Sequence, residues 1–304
     1  MTVHWNLITE AAQWPHRDSP GAVIFQDKMW ILGGWQMLGP DRFGRLSDVW
    51  RSRDGVTWDN LGEAPWPARN LSGCLVFKDA IWLLGGFDGV NSLADVWRSE
   101  DGRNWEQMRV DAPWCGRGAF GCSVHNDKLW VYGGVNWENK IPLGDVWYSD
   151  NGIDWNLATK TPGWSPRGMF SSLVWQDRIW ILGGGIYHDR ETNHSDVWSS
   201  QDGIRWEKVV EHAGWPPRRF HKSIVYRDHL WLLGGATNGS INLNDVWGSP
   251  DGRTWQQSGS PVPWDVRHEF GVLDFKEKLW LLGGFSGVHA GSHVYNDVWT
   301  MQTE

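Results

Sequence analysis

One pattern constrains this chain more than any other: a tryptophan-marked unit of about 50 residues that recurs six times. A Gly-Gly pair follows an apolar run at Gly33-Gly34, Gly85-Gly86, Gly133-Gly134, Gly183-Gly184, Gly234-Gly235 and Gly283-Gly284. An Asp-Val-Trp triplet begins at Asp48, Asp95, Asp145, Asp196, Asp245 and Asp297. Ten residues after the first five of those aspartates stand Trp58, Trp105, Trp155, Trp206 and Trp255, and the missing sixth partner is Trp5, at the other end of the chain. A fixed period of this length signals a stacked repeat architecture.

Each unit reads as four short strands. The first follows a Trp-x-x-Arg step such as Trp66-Pro67-Ala68-Arg69, and the second is an apolar run ending in Gly-Gly. The third carries Asp-Val-Trp, and an Asp-Gly or Asn-Gly dipeptide, suited to the positive φ of a tight hairpin, joins it to the fourth. A lone four-stranded meander cannot bury both faces, so six of them are expected to close radially into an all-β, six-bladed propeller. The expected blades span about 14–61, 66–108, 114–157, 164–209, 215–257 and 264–304, the last completed by residues 3–7. On this reading, residues 1–304 are a single domain without a tail.

These motifs resemble the kelch repeat: a double glycine, an aromatic about 15 residues on and a tryptophan about 8 further. The resemblance covers the whole chain. It departs at the third-strand aromatic, which is tryptophan here and commonly tyrosine in kelch repeats. The Ser-x-Asp-Gly-x-x-Trp turn (Ser52 to Trp58) is also similar to an Asp box, one residue short. Kelch propellers include protein-binding adaptors, sialic-acid mutarotases and, with seven blades, galactose oxidase. The resemblance therefore implies a scaffold and leaves the activity open.

Composition narrows the classes. With 40% apolar and 21% charged residues the chain is neither disordered nor rich in membrane-spanning segments. A formal charge of −8 argues against a nucleic-acid or anionic-membrane surface. Three cysteines make no disulfide framework, and the first residues lack the features of a signal peptide, so a cytoplasmic monomer is expected.

The six copies also separate scaffold from site. Four tryptophans per unit account for 24 of the 27, and Trp175 falls at a first-strand packing position. Trp35 and Trp137 remain, both in loops between second and third strands. These loops vary in length, whereas the segment from Trp-x-x-Arg to Gly-Gly does not, so the loop face is the expected functional surface. The recurring arginines, among them Arg117 and Arg167, admit two readings: a cationic ring that binds anions, or partners for the Asp-Val-Trp aspartates.

Candidate ligand contacts on this face are Trp35, Trp137, Tyr187, His188, Asp18, Asn70, Arg219, His221, His268, Arg117 and Arg167. Two functions stay open. One is a module that binds a small polar molecule or a protein or peptide around the channel mouth. The other is an enzyme of epimerase, mutarotase, lyase or oxidoreductase type, with His221, His268, Glu269 and Arg219 converging in a pocket. Adjacent strand residues point to opposite faces, so His268 and Glu269 are not expected to act together. No cofactor is expected. A metal held by His268, His289 and His293 is the minor alternative.

Overall fold

The computed structural model describes residues 2–39, 42–187, 192–259, 262–287 and 291–303. These form six antiparallel blades around a central axis. The first blade shows the order, with strands Gly21–Phe25, Lys28–Gly39, Arg42–Ser52 and Trp58–Glu63 running from the axis outwards. In the last blade the outermost strand is Val3–Thr9, paired antiparallel with His293–Thr303 so that Val3 faces Thr303 and Trp5 faces Met301. No described helix is long and apolar enough to cross a membrane.

The repeated tryptophans have three structural roles. Second-strand indoles such as Trp30 are buried and donate Nε1–H to the carbonyl five residues earlier, here Phe25 O at 2.8 Å. The Trp-x-x-Arg indole packs edge-on against the fourth-strand indole in every blade, from Trp14–Trp58 at 6.1 Å round to Trp264–Trp5 at 5.5 Å. The third-strand indole donates to its own Asp-Val-Trp aspartate, as Trp97 Nε1 does to Asp95 Oδ2 at 2.7 Å. Rings in this arrangement add roughly 1 kcal/mol per pair beyond the area they bury.

That aspartate also answers the question of the arginines. All six recurring arginines lie in buried two-pronged ion pairs: Arg17–Asp48, Arg69–Asp95, Arg117–Asp145, Arg167–Asp196, Arg218–Asp245 and Arg267–Asp297, at 2.6 to 2.9 Å. Each also donates to the first Gly-Gly carbonyl, as Arg69 Nη1 does to Gly85 O at 2.9 Å. Arg117 and Arg167 are therefore scaffold and not ligand contacts. Their Nη donors are committed inside the blade.

Blades are locked together by the hairpin glycines. Gly102, at φ 74°, sits so close to Trp30 of the preceding blade that a Cβ would lie 2.1 Å from the indole. Gly55 stands in the same relation to Trp280, which joins the first blade to the last. The Ser-x-Asp-Gly turn is hairpin chemistry throughout: Ser52 Oγ accepts from Gly55 N, and Asp54 Oδ1 accepts from Val56 N and Thr57 N.

A backbone diaphragm crosses the axis. The second residue after each arginine (Ser19, Leu71, Ala119, Met169, Phe220, Glu269) adopts a positive φ of 48 to 58°. Five links of the ring are backbone hydrogen bonds between neighbouring blades, such as Met169 N to Ala119 O at 2.8 Å and Ser19 N to Glu269 O at 2.7 Å. A left-handed non-glycine residue costs roughly 1 kcal/mol or more, and six in one ring concentrate strain at the axis. Below this ring, Gly21, Gly73 and Cys74 leave a channel of about 240 Å³, and above it lies a larger space.

Candidate functional site

The space above the diaphragm is a pocket of about 1040 Å³ on the loop face. Its tallest wall comes from the first blade. There the long segment after Gly34 is not a loop but an extension of the second and third strands, in which Trp35 pairs with Arg45 and Met37 with Phe43. Side chains two apart share a face of such a ribbon, so Trp35, Met37, Phe43 and Arg45 all line the pocket. Trp35 stacks on Phe43 at 5.1 Å and meets Phe285 of the last blade edge-on at 5.6 Å.

The opposite wall uses the smallest strand entries. The Trp137 indole occupies the space over Gly118, where a Cβ would come within 2.8 Å of its Nε1, and Val135 fills the space over Gly168. Trp137 meets Tyr187 edge-on at 4.6 Å and lies 6.0 Å from Phe87, and Tyr187 in turn packs on Phe220 at 6.2 Å. Seven aromatic rings thus surround a space closed below by the diaphragm.

Polar groups converge on the floor. Asp18 and Glu269 are both buried, and Ser19 Oγ lies 3.0 Å from Asp18 Oδ1 and 2.8 Å from Glu269 Oε1. A hydroxyl has one hydrogen, so Ser19 Oγ donates fully to only one of the two carboxyls at a time. Burial pushes the Glu269 carboxyl up to about 7, against the opposing pull of Ser19, Lys222 and Arg219. Burial, and then the charge of Glu269, hold Asp18 well above the usual carboxylate range. A buried carboxyl that titrates near neutrality beside a second carboxyl of raised pKa is matched to proton transfer.

His268 stands beside them. Burial, and then the Arg219 charge, push its imidazole down to about 3, so it is neutral at physiological pH. Its Nδ1 lies 2.8 Å from Asn242 Oδ1 and donates there, which leaves the Nε2 lone pair 3.5 Å from Glu269 Oε2. This corrects the expectation from strand alternation. Glu269 has φ 55°, which breaks the alternation and turns both side chains into the same pocket.

The remaining sequence candidates divide. Trp35, Trp137, Tyr187, Asp18, Asn70 and His268 line the pocket, and Arg219 lines an adjoining space of about 310 Å³ with His268, Asn242 and Ser240. His221 does not join them. It is buried against Trp215 under the floor, beside a cavity of about 80 Å³. The four-residue cluster of His221, His268, Glu269 and Arg219 is therefore not one site. His188 and His289 lie outside the described residues, and His293 packs on Tyr295 and does not line the pocket. Among the described residues no group of three His, Cys, Asp or Glu could hold a metal ion.

Sequence reasoning passed over Arg45, Phe43, Phe87, Phe220, Phe285 and Ser19 as contacts. For Phe87 and Phe285 the signal was present in the residue after each Gly-Gly, which is Trp35, Phe87, Val135, Gly185, Ala236 and Phe285 in blade order. Each of these pairs with the residue after an arginine, as Trp35 does with Asp18 and Phe285 with His268, so this ring rims the axis.

No family model and no curated protein matches the chain. Among solved structures, the one titled "Structure of YjhT" aligns over 96% of this chain and 99% of its own, with a TM-score of 0.75 and 17% identity. The likeness establishes the propeller fold.

Proposed function

We propose that this protein binds a small organic molecule in the aromatic pocket above the diaphragm, with the ligand's polar end on Asp18, Ser19 and Glu269. The observation that carries this reading is the pocket itself: about 1040 Å³, walled by aromatic rings, with a few polar groups gathered on a closed floor. A shallow protein-docking rim would not need buried carboxyls beneath it. The Gly-Gly and Trp-x-x-Arg pattern supports a kelch-type repeat as the carrier of the site. A thermal-shift screen of small metabolites tests the proposal. A ligand present at about 100 times its Kd stabilises by roughly 2.7 kcal/mol, a shift of a few degrees, and Glu269→Gln should diminish it. If no metabolite shifts the wild type, the proposal fails.

A second reading is favoured by a pair of buried carboxyls of raised pKa, one of them 3.5 Å from a neutral imidazole: acid–base catalysis on that same ligand, in which one carboxyl takes a proton and its partner returns one. Incubation of the bound ligand in D₂O should then introduce deuterium with the wild type and not with Glu269→Gln. Equal incorporation by both proteins would exclude it.

A further inference from the structure

Arg45 differs from the arginines of the scaffold. Each of the six recurring arginines closes on an aspartate, whereas Arg45 has no carboxylate within 4 Å among the described residues. Its guanidinium lies over the face of Phe87, 5.1 Å from the ring centroid, and its Nε is buried without a hydrogen-bond partner. Gly89 leaves room for this placement, since a Cβ there would lie 2.5 Å from Arg45 Nη1. The nearby acid Asp88 is committed to its own turn, where Oδ1 accepts from Val90 N at 2.8 Å and from Asn91 N at 2.6 Å. Asp88 and Asp18 act on Arg45 only from a distance, so a cation held in this way on an aromatic face, half-withdrawn from water and lining a pocket, is open to a directly paired anion.

We propose that Arg45 is the anion anchor of the pocket, and that the ligand is an organic carboxylic acid whose carboxylate pairs with Arg45 while its apolar ring fills the aromatic walls. This rests on the reading of the pocket as a small-molecule site and names the ligand class. A single guanidinium matches one carboxylate fork. A phosphate dianion would need more positive charge than the wall supplies, given the carboxyl pair on the floor. Burial favours the neutral forms of both floor carboxyls, and Lys222 lies below the diaphragm, so the floor does not forbid an anion higher up.

Isothermal titration with acid and amide pairs tests this: 2-naphthoate against 2-naphthamide, and indole-3-acetate against indole-3-acetamide. The wild type should bind each acid on the order of tenfold more tightly than its amide. Arg45→Gln should abolish that preference and leave amide affinity within about twofold, which also shows that the variant pocket is folded. If the amides bind the wild type as well as the acids, or if the preference survives Arg45→Gln, the anchor is wrong and the pocket still stands as a ligand site. If neither member of either pair binds the wild type, both the anchor and the small-molecule reading are overturned.

Discussion

Ser19 and Glu269, 250 positions apart in sequence, meet twice at the axis of the propeller: Ser19 N donates to Glu269 O at 2.7 Å, and Ser19 Oγ lies 2.8 Å from Glu269 Oε1. The contact closes the backbone ring between the last blade and the first. It also places a carboxyl with a raised pKa at the bottom of the pocket. Closure of the fold and the chemistry of the site thus share the same two residues.

The first prediction concerns pH. Burial raises the Glu269 carboxyl from its usual 4.5 to about 7, so the folded protein holds this proton more tightly than the unfolded chain does. Its contribution to stability is complete below about pH 4.5 and is lost as the pH rises through about 7. Glu269→Gln cannot ionise and removes that loss. Urea unfolding should find the variant more stable than the wild type at pH 8, by about 3 kcal/mol at most, with the difference shrinking towards pH 5.

A second prediction separates a fully buried scaffold ion pair from one that water can reach. Asp95→Asn leaves the Arg69 guanidinium, with none of its side chain exposed, without its counter-charge. Loss of one partner of a buried pair costs about 3 to 5 kcal/mol, so the unfolding midpoint should fall sharply. The aspartate opposite Arg117 is 24% exposed, and Asp145→Asn should cost less because water can reach the vacated site. Equal losses would contradict this account of the ring.

The third prediction uses two glycines with similar backbones and different surroundings. Gly62 has φ 93° and nothing within 4 Å of a Cβ, whereas Gly102 has φ 74° and the Trp30 ring at 2.1 Å. Gly62→Ala should cost roughly 1 to 2 kcal/mol of backbone strain alone. Gly102→Ala carries that strain and also pushes two blades apart, so its loss by denaturant titration should exceed that of Gly62→Ala by a further 1 to 3 kcal/mol or so.

Much of the fold was legible because the repeat counts its own elements. Trp5 lacked a neighbour in its own segment and its match was the sixth triplet, and the structure sets it on Trp264 in the closing blade. The site was legible in part. Trp35, Trp137 and Tyr187 stood outside the repeat and do line the pocket. His268 and Glu269 were named but judged unable to cooperate, because alternation along a strand says nothing of a positive φ on a non-glycine residue. His221 was misplaced for the same reason, since the turn at Phe220 directs the next side chain beneath the floor. Arg45 and Phe43 were hidden inside what looked like a variable loop, and only the strand pairing puts them on the face of Trp35.

The central claim is that the aromatic pocket holds a small molecule. Native mass spectrometry of the protein after incubation with a metabolite extract tests it most directly, with the wild type compared against Trp137→Ala/Tyr187→Ala and against Val110→Thr on the exposed surface. The account predicts a bound mass of a few hundred daltons, about the size such a pocket admits, on the wild type and Val110→Thr and lost from the double variant. Retention by the double variant equal to that of the wild type, or no retained mass on any of the three, would contradict it.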